Sequence, residues 1–361
     1  MSEKPKRILH IVGTMNLGGQ ETFIMNLYRK IDRSKIQFDF VVHSKEKQFY
    51  EEEIKQLGGR IYKIDSMSKN LFCHMKTLYH ILKDNRYAII HRHTNSSIIW
   101  FDLLVAKMAK VQKIIVHSHS SSSKSRIIHK ICRSIMNLFI DIRLACSKEA
   151  GEWLFGKKKF TIIYNGIEMD KYLYSVETRE KIRRKHYISS EQKVIGHVGR
   201  MENEKNQIFL IELVKEIVKI DSSIQLWLVG DGSEKEKLVK KVEEDNLTKN
   251  ILFMGKRQDV NELLQAMDFF VFPSLYEGLG ISCIEAQVAG LPCFISNKVP
   301  SIAVIGKNIT VLPLIINEWT KKILETKKIE NRKVEITKEM MKFNIKYAVE
   351  QIELVYGVKD K

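Results

Sequence analysis

The chain has 361 residues, 44% hydrophobic and 29% charged, with five prolines and eighteen glycines; this excludes a linker-dominated or collagenous polypeptide and suits two domains of ordinary size. No apolar run approaches the roughly 18 residues of a spanning helix, the opening residues lack a signal-peptide pattern, and five cysteines without metal-ligand spacing (Cys73, Cys132, Cys146, Cys283, Cys293) fit a reducing cytosol. The net charge of +17 is one-sided: residues 1–185 hold 35 basic and 18 acidic residues, and residues 186–361 hold 25 of each. Such an excess suits an anionic partner, with nucleic acid, anionic lipid and a phosphorylated substrate all open.

Short β-branched runs alternate with segments of helical period along the whole chain. Arg7–Gly13 reads as a strand, Glu21–Ile31 as a helix, Phe38–Val42 as a strand, Phe49–Leu57 as a helix, Arg60–Ile64 as a strand and Asn70–Lys83 as a helix. Tyr87–His91, Ile98–Ala109 and Lys113–His117 continue the series. Lys124–Phe139 reads as a basic amphipathic helix with Ile127, Ile128, Ile131, Ile135, Leu138 and Phe139 on one side. Its stripe suits a helix that covers a sheet and turns its basic face outward; the alternative is a helix lying on an anionic bilayer. The charged stretch Glu177–Lys185 marks the candidate boundary, after which Val194–Val198, Phe209–Ile220, Gln225–Val229, Glu234–Glu244, Ile251–Met254, Val260–Met267, Phe269–Phe272, Ile281–Ala289 and Cys293–Ile295 resume the alternation. Strand–helix alternation implies an α/β fold, here two doubly wound parallel-sheet domains in series, with ligands expected beyond the carboxyl ends of the strands.

The densest chemistry lies in Phe272-Pro-Ser-Leu-Tyr-Glu-Gly-Leu-Gly-Ile-Ser-Cys-Ile-Glu285. A buried-looking strand runs into a loop in which Gly278 and Gly280 let backbone amides approach a ligand, and a helix N-terminus follows that suits phosphate. Glu285, one turn into that helix, can accept hydrogen bonds from vicinal hydroxyls, and Glu277 can hold the hydroxyls of a sugar. Arg200 and Lys205 follow the strand Val194–Val198 and offer a planar fork and a point charge to a diphosphate. In the first half, Gly18 and Gly19 open a helix after the first strand, although Gly13–Gln20 is neither a dinucleotide fingerprint nor a Walker loop. His91 and His93, then His117 and His119, end two strands without metalloprotease spacing.

These residues resemble a family. Lys6-Arg-Ile-Leu-His-Ile-Val with Gly18-Gly-Gln-Glu-Thr22, Val116-His-Ser-His119, Ala145–Gly156, Tyr164-Asn-Gly-Ile-Glu168, Gly199-Arg with Lys205-Asn, Val229-Gly-Asp-Gly232, and Pro273–Gly280 with Glu285 together are similar to the family 4 retaining glycosyltransferases of the GT-B fold, as found in bacterial exopolysaccharide and capsule assembly. The resemblance implies two Rossmann-like domains facing across a cleft. The expected division is 1–185 on the acceptor side, 186–338 for the nucleotide sugar, and a C-terminal helix in 339–361 packing back on the first domain. It further implies that Arg200 and Lys205 hold the diphosphate, with Gly18 and Gly19 approaching it. Glu277 and the amides of Gly278, Leu279 and Gly280 then hold the sugar, Glu285 the ribose, and His119 the transferred sugar, with His117 as the competing register. The donor is a nucleoside-diphosphate sugar, most often UDP-linked, and no cofactor or divalent metal is required. The acceptor is a lipid-linked or growing glycan, reached from the cytoplasm at the inner face of the plasma membrane through a peripheral contact with anionic lipid. A UDP-sugar epimerase or a binding-only relative is the rival; no nucleic-acid-reading motif is present.

Overall fold

The computed structural model describes residues 4–120, 126–329 and 332–358. Within Lys6–Val12 the five residues from Ile8 onward are all buried, and so is every residue of Ile36–Val42. Near-continuous burial of that kind marks parallel strands covered on both faces. These are β1 and β2 of the first unit, which runs to Ile167 and takes up the chain again from Lys342. Its elements in order are β1, α1 (Gly19–Lys30), β2, α2 (Glu51–Gln56), β3 (Ile61–Lys63), α3 (Leu71–Asp84), β4 (Ile89–Thr94), α4 (Trp100–Met108), β5 (Lys113–Ser118), α5 (Arg126–Leu138), β6 (Ile142–Ala145), α6 (Lys148–Phe155) and β7 (Thr161–Ile162). All pairings are parallel, in the order β3-β2-β1-β4-β5-β6-β7.

The second unit, Glu168–Met341, holds α7 (Val176–Lys185), β8 (Val194–Val198), α8 (Gln207–Ile217), β9 (Gln225–Val229), α9 (Lys235–Glu244), β10 (Ile251–Gly255), α10 (Val260–Ala266), β11 (Phe269–Phe272), α11 (Ile281–Val288), β12 (Cys293–Ser296), β13 (Ile309–Leu312), α12 (Ile316–Glu325) and α13 (Lys338–Met341). Its sheet is also parallel, ordered β10-β9-β8-β11-β12-β13. Both sheets reverse strand order once, at β1/β4 and at β8/β11, and these switch points are where doubly wound sheets bind ligands.

Two expectations are corrected. The division falls at Ile167, not at residue 185, because the charged stretch is a helix of the second unit. Arg179 and Arg183 of α7 reach Asp268 at 2.5 and 3.1 Å. Arg179 also donates to the carbonyls of Gln265, Ala266 and Met267, at the end of α10. Asp268 in turn accepts from the Val194 amide at 2.8 Å, so one buried carboxylate ties α7 to the first strand of this sheet. The second correction concerns α5. Most of its stripe does not cover the sheet: Ile127, Ile131 and Leu138 are 76%, 67% and 80% exposed, and of the stripe only Phe139, just past the helix, packs against the core. The residues that pin the helix are Met136 and His129, both buried, with His129 stacked on Trp153, bonded to the Trp153 carbonyl at 2.9 Å, and accepting from the Ser97 amide at 3.1 Å. The chain then returns to the first unit as α14 (Ile345–Tyr356), whose Ile345, Ala348, Val349, Ile352 and Tyr356 share a core with Phe23, Ile24 and Leu27 of α1.

Candidate active site

Each unit carries part of the predicted set. In the second, the loops after β8 and β11 are stitched together at the switch point. Gly230 has φ +139°, and a Cβ there would lie 1.9 Å from the Gly199 carbonyl oxygen, so only glycine lets the loops after β8 and β9 meet. The Gly199 amide then donates to Val229 and the Met201 amide to Asp231, both at 3.0 Å, which sets the path of Arg200. Asn206, left-handed at φ +56°, donates from its side chain to the Pro273 carbonyl at 3.2 Å, while the Leu275 amide donates to the Glu204 carbonyl at 2.8 Å.

This stitching brings Lys205 and Glu277 together, 72 residues apart in sequence: Lys205 Nζ donates to Glu277 Oε1 at 2.5 Å, and Ser274 Oγ donates to the same oxygen at 2.7 Å. Both bonds fall on Oε1, which leaves Oε2 as the oxygen for a ligand. The two side chains are only 16% and 7% exposed, and Lys205 Nζ also lies 5.4 Å from the centre of the Phe272 ring. Arg200, by contrast, is 68% exposed and meets Glu204 at 3.7 Å, so the two predicted diphosphate cations differ: Lys205 is buried against Glu277 and Arg200 is exposed. Gly280, at φ +78°, starts α11 and brings Gly278, Leu279 and Gly280 to the N-terminus of that helix. One turn in, Glu285 accepts from the Tyr172 hydroxyl at 2.7 Å. Burial pushes the Glu285 carboxyl up to about 7, the hydrogen bond from Tyr172 working against it. Arg257 is engaged by Asp259 at 2.7 and 2.5 Å.

In the first unit, Gly18 caps α1 with an extended backbone and Gly19 is its first residue. Thr22 donates back to the Gly18 carbonyl at 2.9 Å. His117 is fully buried, whereas His119 is half-buried at the end of β5. Two triplets, His10–His91–His93 and His93–His117–His119, bring a nitrogen from each ring within 4.8 Å of the others. Their closest nitrogens, His10 Nδ1 to His93 Nε2 and His93 Nδ1 to His119 Nε2, are 2.9 and 2.8 Å apart. Two nitrogens on one tetrahedral zinc, at Zn–N of about 2.0–2.1 Å, stand about 3.3 Å apart; these are hydrogen-bond spacings. A third set, His43–His74–Asp102, is closed to a cation because His74 and the Arg92 guanidinium each take one oxygen of Asp102, at 2.7 and 2.8 Å.

Several groups that shape the site escaped the sequence. His197, in the middle of β8, bonds the Val271 carbonyl at 3.0 Å and the Gln207 amide at 3.3 Å, and Gln207 donates to the Arg200 carbonyl at 2.8 Å. Burial holds His197 down at about 4, so it is a neutral prop under the β8 loop. Ser274 and Tyr172, which orient the two glutamates, read as ordinary loop residues; only the nearby Glu-Gly-Leu-Gly pattern hinted at Ser274.

Known proteins agree with this architecture. Residues 17–171 match the model for Glycosyltransferase Family 4, and residues 178–329 the model for Glycosyl transferases group 1. A protein of Bacillus subtilis (strain 168) named as glycosyltransferase EpsF is 33% identical over 83% of this chain and 81% of its own. The Escherichia coli UDP-Gal:alpha-D-GlcNAc-diphosphoundecaprenol alpha-1,3-galactosyltransferase is 30% identical over 61% of this chain and 60% of its own. Among solved structures, Anabaena Alr3699/HepE in complex with UDP-glucose superposes with a TM-score of 0.78 at 18% identity, over 98% of this chain and all of that one, which speaks for the shared fold. With its two halves matching the two family models and a relative one-third identical along most of both chains, the chain belongs to the family 4 glycosyltransferases.

Proposed function

We propose that this glycosyltransferase moves a hexose from a UDP-linked donor to a lipid-diphosphate-linked or growing glycan, with retention of configuration, in surface polysaccharide assembly. The observation that carries the reading is the Lys205–Glu277–Ser274 cluster at the β8/β11 switch point. It puts an ammonium for phosphate beside a carboxylate oxygen for sugar hydroxyls. Breaking the anomeric bond builds positive charge on the sugar ring and negative charge on the departing diphosphate. Arg200, Lys205 and the amides of Gly278, Leu279 and Gly280 stabilise the latter, and Gly18 and Gly19 are assigned to the same group. Two side-chain cations do this work, so the reaction needs no divalent metal. Glu277 is already committed through Oε1 and positions the sugar; it is not a covalent nucleophile. Substitution then occurs on the front face, and the leaving phosphate takes the acceptor's proton. The transferred sugar is the role assigned to His119, and the ribose that of Glu285.

The lipid-linked acceptor is supported by the activity for which the Escherichia coli relative is named and by a Staphylococcus aureus relative named for capsular polysaccharide biosynthesis, 25% identical over 78% of this chain and 78% of its own. A peripheral site at the cytoplasmic face of the membrane is supported by α5, where exposed isoleucines share a helix with Arg126, Lys130 and Arg133. An anionic bilayer is the partner that suits both kinds of residue.

The test is transfer from a panel of UDP-hexoses to a lipid-diphosphate-linked sugar, with the product anomer read by NMR and EDTA present throughout. Transfer with the donor's configuration kept supports the reading. Inversion, or a requirement for added metal, overturns the mechanism, and conversion of UDP-sugar without acceptor overturns the activity in favour of an epimerase. Arg200→Ala with Lys205→Ala is expected to lower turnover far more than donor affinity.

A further inference from the structure

The first unit buries a column of imidazoles that the proposed chemistry does not use. His10 on β1 and His93 on β4 are 0% and 2% exposed, and Tyr356 on α14 is 0% exposed. Their polar atoms form one continuous chain. The Tyr356 hydroxyl lies 3.3 Å from His10 Nε2, His10 Nδ1 lies 2.9 Å from His93 Nε2, and His93 Nδ1 lies 2.8 Å from His119 Nε2. At its inner end the same hydroxyl meets His91 Nδ1 at 2.7 Å. Burial holds all four imidazoles well below their ordinary range, so each is neutral and carries one proton.

A neutral imidazole donates from one nitrogen and accepts at the other, so the direction of one bond sets the direction of all. Only two arrangements satisfy every link and also use the tyrosine's own proton, since the phenol oxygen accepting from both neighbours would leave its buried O–H unpaired. In the first, His91 Nδ1 donates to the Tyr356 oxygen, Tyr356 donates to His10 Nε2, His10 Nδ1 to His93 Nε2, and His93 Nδ1 to His119 Nε2. The remaining proton of the chain then sits on His119 Nδ1. In the second, every link is reversed, and the remaining proton sits on His91 Nε2. Both end atoms are buried without a partner, and so is Asn165 Oδ1. The arrangements therefore differ in where they leave an unpaired N–H. A buried donor without an acceptor is the costlier orphan, and the second arrangement leaves one on His91 Nε2. The first puts the proton on His119 Nδ1, equally buried but within reach of the Asn165 side chain, whose unpaired Oδ1 can accept it and which favours a proton there.

We propose that His93, His10 and Tyr356 are positioning residues that lock His119 as its Nδ1–H tautomer, so that it presents a hydrogen-bond donor. His117, stacked on His91 with ring centres 5.4 Å apart, makes no link in the chain. The consequence for catalysis rests on the reading of His119 as the sugar-side histidine: a fixed donor serves a hydroxyl or ring oxygen, and the wrong tautomer offers only a lone pair.

The test uses the full chain labelled with ¹⁵N-histidine, the His119 signals being assigned by their loss in His119→Asn. Pyrrole-type Nδ1 and pyridine-type Nε2 are expected for His119 in the wild type. In His93→Gln, whose amide can both accept and donate, the pattern is retained; in His93→Phe it shifts to the Nε2–H form. Tyr356→Phe, which keeps the packing and removes the relay's source, yields a mixture and serves if His93→Phe does not fold. An Nε2–H His119 in the wild type, or a pattern unmoved by both His93→Phe and Tyr356→Phe, overturns the proposal. In turnover, one lost hydrogen bond should lower kcat/KM for the donor by about three- to tenfold in His93→Phe, with most of it restored in His93→Gln. The expected tautomers with unchanged kcat/KM in both His93→Phe and His119→Asn would sustain the relay and remove His119 from the sugar site.

Discussion

Lys205 and Glu277 offer a perturbation in which stability and chemistry separate. Their side chains are 16% and 7% exposed and meet at 2.5 Å, with Ser274 on the same oxygen. Removing one partner of a buried pair strands the other charge and costs roughly 3–5 kcal/mol, whereas removing both is close to neutral. Lys205→Met leaves Glu277 with Ser274 alone, and Glu277→Gln leaves the lysine without its counter-charge. Each single change should cost about 3 kcal/mol, which for a unit of this size lowers its melting transition by about 6–12 °C. The double variant should return to within about 1 kcal/mol of the wild type. Turnover should not follow. Lys205 is assigned to the diphosphate charge that develops only as the bond breaks, so kcat should stay down by about 100-fold or more in all variants that lack it. Calorimetry and a UDP-release assay on the four proteins measure both quantities. A double variant as unstable as either single one would refute the buried pair as an energetic unit, and a double variant with restored turnover would refute the role of Lys205.

Glu285, held up at about 7 by burial, should bind ribose hydroxyls only when ionised, so UDP-glucose affinity should tighten about tenfold between pH 6 and pH 8 and be flat in Glu285→Gln, by titration calorimetry. The same raised pKa makes a stabilising contribution that is complete below the unfolded carboxyl's pKa and is lost as pH rises through about 7. Replacing Ile127, Ile131 and Leu138 of α5 with serine should abolish flotation with anionic vesicles while leaving the melting temperature unchanged, since all three are already exposed; vesicle binding that survives the change would remove α5 as the contact. Gly230→Ala forces a Cβ against the Gly199 carbonyl at φ +139° and should cost about 2 kcal/mol or more, with UDP-glucose affinity falling alongside as the Arg200 loop is displaced.

The elements that sequence patterning locates best are those that burial dictates locally. β8, β9 and β11 have the bounds that the strand pattern of the sequence predicts, and Lys205, Glu277 and Glu285 stand out because glycines and strand ends bracket them. Pairings over long separations leave no such trace: Tyr172 and Glu285 lie 113 residues apart, and Tyr356 and His10 lie 346 apart. α7 looked like a connector because arginine counts as solvent-loving, yet Arg179 and Arg183 are consumed by Asp268 and by carbonyls at the end of α10. α5 was legible as an amphipathic helix but not in its orientation, because a stripe of isoleucines looks the same whether a sheet or a bilayer is meant to cover it.

The return of the chain as α14 has a consequence for biosynthesis. The first unit is interrupted by the whole of Glu168–Met341, so a ribosome translates β1 early but supplies Tyr356 and the apolar face beside α1 only after the second unit has emerged. The unit made first thus finishes last, and until then the face of α1 that α14 covers, along with the imidazole column, lies open to chaperones and to nonspecific association.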